Sequence, residues 1–194
     1  MQLQISENLS PGFLSYDNFY EDPDEVRRFA LSLQFRENIQ YHKGARTCES
    51  FAPPEIKDCF ETLLNRKIEN WNCRTYPNGV FQYCTAEDPI VYHMDKQTYA
   101  GVIYLTPDAP PECGTSFFRS KVNKIRRAPE DEKMMEGVFS RGFLDRTQFD
   151  LVDIVGNVYN RLVLWDAKMI HAASQYFGDR RENSRLFHLF FFDA

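Results

Sequence analysis

A chain of 194 residues with 23 Lys and Arg against 28 Asp and Glu carries a net charge of −5 and has the length of one domain. Hydrophobic residues make up 43% and aromatics 15%, with 17 Phe, which supplies a buried core and excludes a disordered chain. The acidic balance disfavours general attraction to nucleic-acid phosphates or anionic lipid. No apolar run reaches the ~18 residues that span a bilayer; the densest, Leu186 to Phe192, is interrupted by His188.

The first ten residues hold neither Lys nor Arg and no apolar stretch of the secretory kind. Cys48, Cys59, Cys73, Cys84 and Cys113 are odd in number and contain no CxxC pair. Reduced thiols in a cytoplasmic protein are expected, and neither a disulfide framework nor a structural zinc site. Oligomeric state leaves no mark on the sequence.

In chain order, Pro11-Gly12 predicts an early turn. Asp22-Pro23-Asp24-Glu25 reads as an N-cap, a Pro at the first helical position and a Glu three residues after the cap, with Val26, Phe29, Ala30 and Leu33 at helical spacing. A second helix should start near Pro53-Pro54-Glu55 and carry Ile56, Cys59, Phe60, Leu63, Leu64 and Ile68 on one stripe. Beyond Trp71 the period shortens. Strands are expected at Phe81 to Cys84, Ala100 to Leu105, Ser116 to Arg119, Tyr159 to Trp165, Met169 to Ala173 and Arg185 to Phe192. This order predicts one α+β domain over 1–194, mainly helical support over 1–75 and a β sandwich or barrel over 76–194. Residues 119–150 read as an insertion, basic from Arg119 to Arg127 and acidic from Glu130 to Glu136. Few apolar positions precede Phe139, so little buried area is expected there, and the stretch is either a solvated loop or a substrate-facing lid.

His93-Met94-Asp95 places an imidazole and a carboxylate two residues apart, on one face of an extended segment. A further His from a distant strand would complete a two-His, one-carboxylate facial triad with open positions for other ligands, and His171 fits that role. Arg185 heads the last strand and shares a face with Phe187, Leu189 and Phe191. A guanidinium in an apolar row asks for an anion, and its planar fork suits a carboxylate. Arg180 and Arg181 are rivals for that task, less favoured because a loop would hold them. His188, on the opposite face of its strand, reads as structural, and His42 as exposed or facing the substrate.

These elements resemble the prolyl-hydroxylase-like branch of the Fe(II)- and 2-oxoglutarate-dependent dioxygenases. The resemblance rests on His93-Met94-Asp95, the strand Ala100 to Thr106, Cys113-Gly114-Thr115-Ser116-Phe117, Asn160 to Asp166, His171 and the closing Arg185 strand. It covers about residues 80–192 and implies a double-stranded β-helix (jelly-roll, cupin-like) with N-terminal supporting helices. It implies His93, Asp95 and His171 as catalytic iron ligands, Arg185 as the anchor of 2-oxoglutarate and Tyr83, ten residues before His93, as a cosubstrate contact. Thr115, which replaces the second Gly of the family's turn, and Tyr104 carry less weight. The implied reaction consumes O₂ and 2-oxoglutarate, releases succinate and CO₂, and hydroxylates a C–H bond of an organic or protein substrate such as a prolyl residue. An Asp at position 95 favours hydroxylation over halogenation. Nucleic-acid demethylation is disfavoured by the net charge. The alternatives are a non-catalytic β-helix that binds a ligand or partner and a zinc-dependent hydrolase, for which no general base is placed by motif.

Overall fold

The side chain of Asp22 accepts a hydrogen bond from the Glu25 amide at 2.8 Å and caps helix α1, Pro23–Ser32, with Pro in its first turn. Helix α2 spans Pro54–Leu64 and ends at Asn65, which adopts the left-handed conformation; Ile68 lies beyond it. The computed structural model describes residues 12–37, 43–72, 77–129 and 132–194. Pro11 of the expected first turn, and His42, lie outside them.

The strands are β1 (Phe13–Tyr16), β2 (Phe35–Glu37), β3 (Ala45–Thr47), β4 (Val80–Cys84), β5 (Tyr99–Tyr104), β6 (Thr115–Ser120), β7 (Phe149–Val155), β8 (Leu162–Asp166), β9 (His171–Ala173) and β10 (Arg185–Phe192). They form a seven-stranded sheet in the order β1-β8-β5-β10-β4-β3-β2 and a three-stranded sheet in the order β7-β6-β9. The pairings within both sheets are antiparallel. The expectation of α+β order is met, and besides α1 and α2 the N-terminal part supplies β1, β2 and β3, at the two edges of the large sheet.

Period two in β10 sorts the core. Leu186, Phe190 and Phe192 face the helices with Phe60, Ile56 and Ala30, whereas Phe187 and Leu189 face the small sheet with Val102, Val163 and Phe117. The sheets thus enclose one core, and α1 and α2 cover the outside of the large sheet with another. Arg27 fastens α1 in place by donating to the carbonyls of Leu105 and Glu182, both at 2.6 Å.

His188 lies on the helix side. The Tyr20 hydroxyl donates to its Nδ1 at 2.7 Å, and its Nε2–H donates to the Gly79 carbonyl at 3.1 Å. Both ring nitrogens are satisfied in the neutral state, as a structural residue requires.

The stretch between β6 and β7 corrects one expectation. Val138 is fully buried with Phe118, Phe149 and Tyr92, and Ile125, Met135 and Phe139 pack against them. This third cluster closes the outer face of the small sheet. The basic residues there point elsewhere: Arg119 pairs with Asp150, Arg126 with Asp153 and Arg127 with Asp166.

Two measurements test this architecture. Phe60 is fully buried among Trp71, Phe190 and Phe192, so Phe60→Ala should cost about 3–5 kcal/mol in urea unfolding. Burial holds the His188 pKa down at about 3, against 6.5 for a free imidazole. Between those pH values the unfolded chain binds a proton that the folded ring refuses, so stability falls on acidification by up to about 1.4 kcal/mol per pH unit. His188→Gln, whose amide can also accept from Tyr20 and donate to Gly79, should remove that slope from unfolding curves recorded at successive pH values.

Candidate metal centre

The segment after β4 pairs with β9 at a single point. His93 N–H donates to the His171 carbonyl at 3.0 Å and His171 N–H donates to that of His93 at 2.9 Å. Two residues on, the Asp95 amide donates to the Ala167 carbonyl at 2.8 Å. This short antiparallel register places His93 and Asp95 on the face occupied by His171. One ligand atom from each of the three lies within 4.8 Å of the others.

Backbone partners orient both rings and select their tautomer. His93 Nδ1 lies 2.9 Å from the Val91 carbonyl and His171 Nδ1 lies 2.8 Å from that of Met169. A carbonyl only accepts, so each Nδ1 carries a proton, and in the neutral ring Nε2 is left with the lone pair a metal takes. Asp95 Oδ2 stands 3.2 Å from His171 Nε2 and is buried without a hydrogen-bond donor. With both rings neutral, three ligand atoms converge here, and a divalent cation would satisfy all three at once. Burial and the adjacent His171 lower the pKa of His93, which favours the neutral ring a metal needs. Burial opposes the charged form of Asp95, but the two imidazoles and Arg46 outweigh it and hold its pKa below the usual carboxylate value.

Behind the triad lies a chamber of about 100 Å³ walled by Val102, Trp165, Phe187 and Leu189, with Thr115 and Arg185 also on its lining. Arg185 is 3% exposed. It donates through Nε to the Cys113 carbonyl at 3.1 Å and through Nη2 to the Gly114 carbonyl at 3.3 Å and Thr115 Oγ1 at 3.4 Å. The Tyr104 hydroxyl meets the same Thr115 Oγ1 at 2.8 Å, so Thr115 links Tyr104 to Arg185. Gly114 permits this turn because a Cβ there would lie 1.9 Å from the Val155 carbonyl oxygen. In front of the triad a wider cleft of about 610 Å³ opens, lined among others by Phe143, Leu144, Tyr176 and Phe191. Phe143 and Leu144 are the part of the inter-strand stretch that reaches the cleft.

Four of the five residues expected at the site converge: His93, Asp95, His171 and Arg185. Tyr83 does not join them. In β4 the inward positions are Val80, Gln82 and Cys84, and Tyr83 projects to the helix side, edge-on to Phe35 with ring centroids 5.1 Å apart. Arg181 lies on that same outer side, near Leu33 and Phe35, and Arg180 is an exposed neighbour of Asp179. The sequence reading did not single out Gln82 or Tyr176, nor Arg46 within residues 36–50, which it held to help determine the substrate; all three line both the chamber and the cleft. Alternation in β4 was the available signal for Gln82 once Cys84 was placed inside.

No protein-family model matches the sequence, and no curated protein matches it. Solved structures do. HygX from Streptomyces hygroscopicus, with nickel, 2-oxoglutarate and hygromycin B bound, superposes with a TM-score of 0.58 at 13% identity, over 95% of this chain and 84% of that one. A Pseudomonas putida prolyl-4-hydroxylase gives 0.51 at 12% identity, over 94% and 92%. A Trichoplax adhaerens prolyl hydroxylase, in complex with a hypoxia inducible factor peptide fragment, gives 0.52 at 15% identity, over 94% and 84%. The chain has the double-stranded β-helix fold found in these Fe(II)- and 2-oxoglutarate-dependent oxygenases.

Proposed function

We propose that this protein is an Fe(II)- and 2-oxoglutarate-dependent oxygenase that hydroxylates a C–H bond of an organic or protein substrate. The observation that carries the reading is the pairing of two Nδ1-protonated imidazoles and a carboxylate within 4.8 Å of one another with an arginine across a small, largely apolar chamber. In this reading His93 and His171 hold the ion through Nε2 and Asp95 holds it through its carboxylate. Bound iron, with 2-oxoglutarate and O₂, supplies the oxidation and releases succinate and CO₂.

The remaining residues bind and exclude. Arg185 keeps Nη1 for the distal carboxylate while its other donors are tied to the turn at Cys113 and Gly114. That tether holds the guanidinium plane in one orientation before the cosubstrate arrives, which reduces the entropy lost on binding. Trp165, Phe187 and Leu189 keep water from the chamber and strengthen every charge interaction within it. HygX is seen with hygromycin B and the Trichoplax enzyme with a peptide, so the fold accommodates both small and polymeric substrates, and the 610 Å³ cleft in front of the triad is where this chain would receive its own.

The direct test is succinate formation from 2-oxoglutarate with Fe(II) under air, compared with Zn(II); no succinate with iron would refute the reading. His93→Ala, Asp95→Ala and His171→Ala should each abolish Mn(II) binding measured anaerobically by electron paramagnetic resonance, because each removes one of three protein ligands. Normal Mn(II) affinity in the His171 variant would remove that residue from the triad. Arg185→Lys should retain Mn(II) binding and weaken 2-oxoglutarate about ten- to a hundredfold, since an ammonium cannot hold the Cys113 and Gly114 carbonyls and the cosubstrate carboxylate at once.

A further inference from the structure

The proposed reaction leaves one charge in the site unused. Arg46 sits on β3, and its register partner on β4 is Gln82. Its Nε donates to Gln82 Oε1 at 2.7 Å, and the Gln82 amide is held in turn by the Lys43 carbonyl at 2.8 Å. The arginine is therefore aimed by a buried amide, and the face it shares with Gln82 is the inward one. The start of β3 is built to hold it there. Gly44 takes a φ of +66°, and a Cβ would lie 2.0 Å from the Tyr83 carbonyl oxygen; its amide donates to Asp88 Oδ1 at 2.9 Å.

Asp95 acts on this guanidinium only through its field, beyond ion-pair distance. No carboxylate pairs with Arg46 among the ion pairs of the described residues, and its Nη nitrogens meet no acceptor there. Among the described residues that line the outer cleft, Asp95 is the one acid. Burial pushes the Arg46 pKa down to about 10, the mark of a partly desolvated cation that an oxyanion would relieve.

Charge balance decides which anion that is. A divalent metal, the Asp95 carboxylate, the 2-oxoglutarate dianion and Arg185 together sum to zero, so the cosubstrate is already matched. Arg46 lies at the junction of chamber and cleft, lining both. We propose that the substrate carries an oxyanion group, a carboxylate or a phosphate ester, that the Nη edge of Arg46 receives beside the metal triad. The apolar part of the substrate then lies against Phe143, Leu144 and Phe191, which line the same cleft. This inference rests on the oxygenase reading above and assigns its substrate class.

The test uses protein labelled with ¹⁵N-arginine and loaded with Zn(II) and 2-oxoglutarate. Sodium sulfate is titrated as the oxyanion probe, against sodium chloride at matched ionic strength. One guanidinium Nε–H resonance should shift saturably with sulfate, and that resonance should be missing in Arg46→Gln. Calorimetry on the same samples should show sulfate affinity lost in Arg46→Gln and weakened about tenfold in Arg46→Lys, which keeps the charge without the fork. The affinity for 2-oxoglutarate should stay at the wild-type value in both. If Arg46→Gln fails to fold, the Arg46→Lys comparison decides alone. Unchanged sulfate affinity in the variants would overturn the proposal, and loss of 2-oxoglutarate affinity would overturn it by giving Arg46 to the cosubstrate. A wild-type protein that binds no 2-oxoglutarate with Zn(II) would count against the oxygenase reading, and the sulfate titration would still decide whether Arg46 is an oxyanion site.

Discussion

Two backbone hydrogen bonds between His93 and His171 set the geometry on which the rest of the site depends. Side chains at a metal centre must be placed within tenths of an ångström, and loops rarely hold them so. Here the loop segment is converted into a strand for one residue pair. Its partner β9 belongs to the small sheet, and β6 in turn pairs with β9 through Phe117 and His171. The position of the triad is thereby inherited from a sheet, not from the conformational preferences of Val91 to Asp95. The carbonyls of Val91 and Met169, two residues before each histidine, then orient the rings. The same local device is used twice, and it fixes which nitrogen faces the centre.

Much of this was legible in the sequence where the signal was local. The Asp22 cap, the Pro-led helices and the alternation of Arg185 to Phe192 all depend on neighbours within a few residues, and each stands where local chemistry puts it. The facial grouping of His93 and Asp95 followed from period two alone. What could not be read depended on register between distant strands. Tyr83 sat one residue out of phase with the inward face, and a one-residue change of phase moves a side chain to the opposite side of a sheet. Strands β1, β2 and β3 are three or four residues long, too short to display a period. Strand β7 lacks clean alternation: Leu151, Val152 and Ile154 are all exposed, and its pairing with β6 shifts register at Phe117 and Phe118. Arg46 belongs to this second group, since nothing near it in sequence reveals that Gln82 will aim it.

The two faces of the large sheet treat polar side chains differently. On the helix side, His188 has both nitrogens bonded and no capacity left. On the inner side Asp95 Oδ2 and Trp165 Nε1 are buried without partners, and Arg46 retains unused donors. Polar groups left unsatisfied inside a protein cost free energy, so they persist where a ligand completes them. The contrast separates structural from receptive residues of the same chemical type, two buried histidines among them, without appeal to the motif in which each occurs.

The triad is anchored to the small sheet and Arg185 to the large one, with the chamber between them. A metal ion and a dicarboxylate bound there would act as a removable crosslink between the two halves of the sandwich. Ligands that bind only the folded state add to its stability, by about 2.7 kcal/mol at a hundred times the dissociation constant. The empty protein would then open more often and meet cellular proteases more readily than the loaded one.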